Sequence, residues 1–410
     1  VSALQAVRRV LLRGKLRTVR ALGTRRVLYA PFPYARHARI LDPLLSAAAP
    51  LEVVVPSAHA EVWPGAIPWT CGMPKADRGS PHAEMIGAAI VRGLRAQGLN
   101  LLDEDVRILH TQLHEQQHTL AVAQAALGAL RPDALLVPAD NHPPFIEHVL
   151  AARQRDIPVI MLQHGLDCER FYLDDAYASH IAVWGSDRER RYRRDSSWQP
   201  TQIAVVGNPH YDQEPAITAP AEPMQWLWVT RPHSPAKCYP PSRHPDEGMR
   251  ILDALLQALA RVPAARLVIK PHPFDDADGY RSRIARSGES RAEVVTHDTV
   301  SNLLARAGIV ITEDSTAGMD AMLAGRVVVH AHFADSATVM PFVAYTAALP
   351  GFSPGELVES LFRATTLNPD ARTAMAAGQL RFLDDFAGPR DRLASARFVQ
   401  FITEVLRVAR

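Results

Sequence analysis

The stretch IVITEDSTAGMDAMLAGRVVV (Ile309–Val329) changes character twice. A β-branched apolar run gives way to a polar loop, Glu313–Thr316. The helix-length segment AGMDAMLAG follows, and a second β-branched run closes the unit. Apolar runs without polar alternation fit parallel strands buried on both faces, and a helix between two such runs is a crossover. The same rhythm extends outward. Upstream lie QWLWVTRPHS (Gln225–Ser234), a helix over 246–261, ARLVIKPHP (Ala265–Pro273) and the short helix VSNLLARAG (Val300–Gly308). The closing run continues as the strand RVVVHAHF (Arg326–Phe333).

An earlier series has the same form. RRVLYAPFPY (Arg25–Tyr34), LEVVVPSA (Leu51–Ala58), PDALLVPADN (Pro132–Asn141), IPVIMLQHG (Ile157–Gly165), HIAVWGS (His180–Ser186) and QIAVVGNPHYD (Gln202–Asp212) read as strands leaving into loops, with helices over 83–98 and 104–130. Between the two series QEPAITAPAEP (Gln213–Pro223) is rich in proline and alanine and has no apolar period, as expected of a linker. The expected fold is α/β, with two Rossmann-like, doubly wound domains facing a central cleft. The boundaries are a basic N-terminal helical segment at 1–26, a first domain at 27–212, the linker at 213–223, a second domain at 224–384, and a C-terminal helix at 385–410 that crosses back toward the first domain.

The 410 residues exceed one ordinary core, and a composition of 47% hydrophobic and 21% charged residues is globular. No apolar run is long enough to cross a bilayer. No signal peptide is read at the N-terminus, and the three scattered cysteines, Cys71, Cys168 and Cys238, form no metal-ligand spacing or disulfide framework, so a reducing cytoplasm is expected. The net charge of +2 hides an asymmetry: residues 1–26 hold 8 of the 45 basic residues and none of the 43 acidic ones, leaving the remainder at −6. That composition argues against a nucleic-acid partner. The basic leader, with Leu4, Val7, Leu11 and Leu12 on one side, suits the anionic inner face of a cytoplasmic membrane.

In open α/β sheets ligands lie beyond the carboxyl ends of strands. In the second half those ends carry Arg231 and Ser234, then Lys270 and His272, then Glu313, Asp314, Ser315 and Thr316. Hydroxyls and backbone N–H groups at the start of a helix suit an anion, and equally serve as caps. In Lys270-Pro271-His272-Pro273 the following proline disfavours helical geometry at His272, which fixes where the imidazole points. An imidazole held near a phosphate can donate a proton or a charged hydrogen bond to a leaving nucleotide.

VIKPHP followed by ITEDSTAGMDAMLAGRVVV resembles the C-terminal domain of GT-B glycosyltransferases of bacterial surface polysaccharide synthesis. It is most similar to the sialyl-, polysialyl- and Kdo transferases that use CMP-sugars and carry His-Pro and Ser/Thr motifs. It also resembles the CDP-glycerol glycerophosphotransferases, whose His-Gly is similar to MLQHGLD (Met161–Asp167) here. The resemblance covers roughly residues 130–330. It implies an inverting, metal-independent transfer from a CMP- or CDP-activated donor to a glycan or lipid-linked glycan of a capsule, O-antigen or lipopolysaccharide, with no cofactor. His272, flanked by Pro273, would contact the donor phosphate; Ser315 and Thr316 would bind it; Arg231, Ser234, Lys270 and Glu313 would line the same site. Asp320 would hold the ribose, one methylene shorter than the family's usual glutamate.

The base that takes the acceptor proton should come from the first half. Asp140, favoured by the sialyl and Kdo resemblance, is the expected base, and His164, favoured by the glycerophosphotransferases, competes with it; Asp167 and Glu169 lie near His164 in sequence. Asn208 and His210 are expected to form a turn. HTQLHEQQH spaces His110, His114 and His118 four apart, a spacing read here as a solvated helix face rather than a metal site. RPHSPAKCYPPSRHP (Arg231–Pro245) is a candidate mobile loop over the donor. The alternative functions are a CDP-glycerol-type phosphotransferase, an enzyme like the UDP-GlcNAc 2-epimerases, and an inactive binding protein of the same fold.

Overall fold

In the computed structural model the described residues are 25–29, 51–56, 67–69, 81–141, 143–165, 176–196, 199–212, 222–231, 245–273, 275–333 and 338–408. The leader 1–24, the Pro-rich loop 232–244 with Ser234, the three cysteines, Asp167 and Glu169 lie outside them.

Among the described residues the strands form two sheets, parallel throughout. The first has seven strands in the order β3-β2-β1-β4-β5-β6-β7: β1 (Arg25–Tyr29), β2 (Leu51–Pro56), β3 (Ile67–Trp69), β4 (Ala134–Val137), β5 (Val159–Leu162), β6 (His180–Val183) and β7 (Gln202–Val205). The second has six in the order β10-β9-β8-β11-β12-β13: β8 (Glu222–Val229), β9 (Arg266–Lys270), β10 (Ala292–Val294), β11 (Ala307–Thr312), β12 (Val327–Ala331) and β13 (Leu349–Gly351). Helices Asp103–Leu130 and Pro245–Arg261 fall within a residue or two of their expected bounds. The doubly wound α/β architecture is therefore as expected.

The apolar runs explain the two-faced burial. Along β4, Leu135 and Val137 enter one core cluster while Ala134 and Leu136 enter the other. Along β11, Ile309 and Ile311 face Trp226, Trp228 and the helix Pro245–Arg261, whereas Val310 faces Phe342 and Phe382. Period-two alternation of side chains puts a continuous apolar run on both faces of a sheet.

The C-terminal stretch needs correction. Residues 385–410 are not one helix. The helix Pro369–Phe386 ends at Gly388, whose φ of 78° and whose close approach to the Trp184 carbonyl both exclude a side chain. Pro389 follows, and a new helix begins only at Ala394 and runs to Val408. Its first amides, Ala394 N and Ser395 N, donate to the Asp212 carboxylate at 3.1 and 2.6 Å. Its apolar face supplies Phe398, Phe401, Ile402, Val405 and Leu406 to the first sheet, against Val27, Val53, Leu136 and Ile160. The strand β8 also begins at Glu222, inside the expected linker range, and 213–221 lie outside the described residues.

The halves touch along this crossing. Trp184, at the end of β6, belongs to the core cluster of the second half. Ser186 Oγ and Tyr345 Oη both donate to Asp385, at 3.0 and 2.7 Å, and Asn208 N donates to Ala387 O at 3.1 Å.

Candidate functional site

All strands of the second sheet run the same way, so the ends of β8, β9, β11 and β12 open on one side. Thr230, just past β8, organises the Lys-Pro-His-Pro loop. Its amide donates to Lys270 O at 3.1 Å, and its hydroxyl accepts from His272 N at 2.9 Å and donates to Asp275 Oδ2. Tyr280 Oη donates to the same Asp275 oxygen at 2.9 Å, and Asp275 N donates back to His272 O at 2.9 Å. The prolines remove two donors and fix the turn, and Thr230 and Asp275 hold it from beneath. His272 is half-buried in that setting. Lys270 is turned elsewhere: Nζ donates to Thr296 O at 2.6 Å, on the β10 side and away from β11. Burial lowers its ammonium pKa, with the charge of Asp298 opposing.

The β11 end is acidic and buried. Glu313 Oε1 accepts from Arg231 N at 3.2 Å, which ties the β8 and β11 loops together. Asp314 has three cationic or imidazole neighbours: His330 Nε2 at 3.1 Å, His332 Nδ1 at 3.4 Å and Arg231 Nη1 at 3.8 Å. Its Oδ1 also accepts from Met340 N at 2.8 Å and Val339 N at 3.2 Å. Burial alone would raise its carboxyl pKa; the two histidines and the Met340 amide outweigh that and hold it well below the usual carboxylate range. The imidazole of His330 is fully buried, edge-on to Phe342 and Phe352.

Reading along the sequence overlooked His330 and His332, because they sit in an apolar run. The signal was available in the register. Thr312 pairs with His330, so Asp314 and His332 are each two residues further along adjacent parallel strands and fall opposite one another.

Ser315 and Thr316 differ in their local bonds. Ser315 Oγ accepts from Ala317 N at 3.3 Å, as a cap does. Thr316 occupies the N-cap position of the helix Ala317–Leu323 with no side-chain cap bond. Asp320, one turn into that helix, accepts at Oδ1 from Tyr211 Oη at 2.9 Å. Tyr211 comes from the first half.

Across the cleft, β4 and β5 are neighbours, and their ends carry the two base candidates. Asp140 is 1% exposed, and its Oδ2 accepts from Tyr177 N at 2.9 Å and Ala178 N at 2.8 Å. That is a clamp on the chain entering β6. His164 is half-buried, and its Nδ1 lies 2.7 Å from Pro138 O. A carbonyl only accepts, so Nδ1 carries the proton and the neutral ring keeps its lone pair on Nε2. Gln163 fixes the loop on either side, accepting from Trp184 N at 2.9 Å and donating to Gly165 O at 2.9 Å. Asn208 Oδ1 accepts from His210 N at 3.1 Å, a turn as expected.

The histidine stripe is not a solvated face. His110 Nδ1 and His114 Nε2 pair with Glu84 at 3.0 and 2.9 Å, stapling the helix Asp103–Leu130 to the helix Pro81–Ala96. The Glu84 carboxylate has both imidazoles within reach, so the four-residue spacing serves the helix pair. Among the described residues no group of three His, Cys, Asp or Glu side chains is placed to hold a metal ion, and no helix is long and apolar enough to cross a membrane.

Comparison with known proteins reaches the same two halves. The profile described as "Capsule polysaccharide biosynthesis protein" matches residues 242–334, the span from the helix before β9 to the end of β12. Curated proteins yield no match. Among solved structures, the Staphylococcus aureus MnaA–UDP complex is similar at 14% identity and a TM-score of 0.59, covering 94% of this chain and 98% of that one. The UDP-GlcNAc 2-epimerase of Neisseria meningitidis, bound to UDP-GlcNAc, is similar at 14% identity and a TM-score of 0.57, covering 93% and 100%. A glycosyltransferase from Rickettsia africae is similar at 10% identity and a TM-score of 0.54, covering 94% and 99%. At these identities the likeness establishes the two-domain GT-B-like fold over nearly the whole chain.

Proposed function

We propose that this chain is a nucleotide-sugar-dependent glycosyltransferase of bacterial surface polysaccharide synthesis, using a CMP-activated sugar such as Kdo or sialic acid. The observation that carries the reading is the convergence at the ends of β8, β9 and β11. Thr230 hydrogen-bonds the backbone of His272, and Arg231 hydrogen-bonds Glu313. Three loops holding a histidine, an arginine and two hydroxyls are thereby fixed to one another. Preorganised donors of this kind stabilise charge that develops on a departing phosphate. The capsule-biosynthesis match spans two of the three loops.

In this scheme the donor phosphate lies against Ser315, Thr316 and His272, with Arg231 behind them. Asp320 holds the ribose. The acceptor hydroxyl attacks the anomeric carbon as the bond to the phosphate oxygen breaks, and the hydroxyl proton passes to a base on the first half. Of the two candidates His164 suits that role better. The Pro138 carbonyl fixes its ring through Nδ1, whereas one oxygen of Asp140 already accepts two backbone amides. His272 donates to the phosphate that leaves.

A second reading, a UDP-sugar 2-epimerase, is favoured by the full-length likeness to two structures that hold UDP or UDP-GlcNAc. One experiment separates them. CMP, CDP, UDP and GDP are compared for their effect on thermal midpoint, and CMP- and UDP-sugars are incubated with the protein and products read by mass spectrometry. Stabilisation by CMP or CDP and transfer from a CMP-sugar are expected; a UDP preference with epimerised product replaces the transferase reading. His272→Ala and His164→Ala should abolish turnover at unchanged thermal midpoint. Asp140→Ala should instead lower the midpoint, because the Tyr177 and Ala178 amides lose their acceptor at about 1–3 kcal/mol each.

A further inference from the structure

The contact between Tyr211 and Asp320 crosses from one half of the molecule to the other. Tyr211 lies in the turn Pro209–Asp212 directly after β7, the last strand of the first sheet, and Asp320 lies on the helix Ala317–Leu323 of the second half. The hydroxyl donates to Asp320 Oδ1 at 2.9 Å. The turn is anchored on both sides. Asn208 N donates to Ala387 O at 3.1 Å, Tyr211 N donates to Asn208 O at 3.0 Å, and the Asp212 carboxylate takes the first amides of the C-terminal helix. The Tyr211 ring packs against the core cluster of the second half. A side chain held this way has little freedom, so it can fix the group it touches.

Asp320 is four residues beyond Thr316, about 6 Å along a helix axis. That is the scale separating a nucleotide's phosphate from its ribose hydroxyls. A carboxylate is acceptor-only and can take two hydroxyls of a vicinal diol at once, provided its plane is set. The tyrosine sets it. We propose that Tyr211 is the positioning residue of a ribose subsite built on Asp320, so that discrimination between ribo- and 2′-deoxyribonucleotides depends on a hydrogen bond from the opposite half. This rests on the nucleotide-donor reading above.

The test is titration calorimetry of the full chain with CMP and 2′-dCMP, and with UDP and 2′-dUDP. In the wild type the ribonucleotide should bind about tenfold more tightly than its deoxy counterpart, the worth of one hydrogen bond to a charged group. Tyr211→Phe should bring that ratio to within about threefold, leave the deoxynucleotide affinity unchanged, and keep the thermal midpoint. Asp320→Asn should flatten the ratio in the same way. A Tyr211→Phe variant that keeps the wild-type ratio overturns the proposal and leaves the nucleotide-donor reading standing. So does one that weakens both nucleotides equally, since that is a structural effect. A wild type that binds ribo- and deoxynucleotides equally overturns the ribose subsite. A wild type that binds none of the four overturns the donor reading and the proposal with it.

Discussion

Asp314 has a carboxylate side chain that is 1% exposed, with two imidazoles and a guanidinium within 4 Å. Building such a cluster costs desolvation, but removing one member costs more, because buried charge is left uncompensated, typically about 3–5 kcal/mol. Asp314→Asn keeps an acceptor for the Val339 and Met340 amides and removes only the charge, so its loss of stability reports the pairing. The sign of the pH dependence follows from the depressed carboxyl. A group that holds its proton less tightly when folded stabilises the fold above its unfolded pKa of about 4, and that contribution is lost as pH falls further. The thermal midpoint of Asp314→Asn should therefore lie below wild type by a constant gap from pH 7 to about 4, and the gap should close below that. A gap as wide at pH 2 as at pH 7 in paired thermal scans would show that the charge contributes nothing. At this scale the sequence was legible where residues stand out from their neighbours, as His272 does between prolines and Ser315 and Thr316 do after an apolar run. His330 and His332 were not, because one is a polar residue inside a strand and the other directly follows it, and only pairing with β11 gives them a partner.

Elements were legible where they were long. The strands with four or more β-branched or aliphatic residues, and the helices Pro81–Ala96, Asp103–Leu130 and Pro245–Arg261, fall close to where periodicity puts them. The edge strands β3, β10 and β13 have three residues each, too few for a pattern to develop, and they escaped it. The helix Ala317–Leu323 was found, yet what fixes its place is invisible from its own sequence. A Cβ on Gly318 would stand 2.7 Å from Phe342 Cζ and 3.2 Å from Thr312 Cγ2. Phe342 is fully buried and packs edge-on against Phe382 and His330, so its ring cannot swing clear. Gly318→Ala thus sets two effects against each other. Helix propensity favours alanine by about 1 kcal/mol, while overpacking a closed core costs about 1–3 kcal/mol. Overpacking should win, because the clash meets a fully buried ring already packed against Phe382 and His330. The variant should melt several degrees below wild type and, on the proposed donor reading, lose much of the shift a nucleotide would induce, since the helix carries Asp320 and follows Thr316. An unchanged or raised midpoint in differential scanning fluorimetry would mean the Phe342 ring yields after all.

At the scale of the molecule the second half covers its sheet with its own helices, whereas the first half covers one face of its sheet with its own helices and the other with the last helix of the chain. Two doubly wound halves are what alternating apolar runs and helices imply, but no local pattern says which sheet receives the last helix. The break at Gly388 and Pro389 redirects the chain, and Asp212, from the end of the first half, caps what comes next. The helix Ala394–Val408 then covers a face of the first sheet that would otherwise expose Val27, Val53, Val55, Leu136, Ile160 and Leu162. Five large side chains lie on the covering face, and burying each contributes about 1.5–3 kcal/mol, a sum that matches the whole net stability of a typical domain. The second half keeps its own core around Trp226, Trp228, Ile251 and Leu255 without that helix. Ending the chain at Leu393 should accordingly unfold the first half and spare the second. Limited proteolysis read by mass spectrometry should find cleavage across 81–212 and protection across 245–333, with the buried tryptophans of β8 still fluorescing as in the full chain. The milder Phe398→Ala, at a fully buried position, should cost about 3–5 kcal/mol and show the same order of opening in mild urea. If truncation leaves the first half as protected as before, the first sheet does not depend on the helix that covers it; if both halves open together, Trp184 and Asp385 couple them into one cooperative unit.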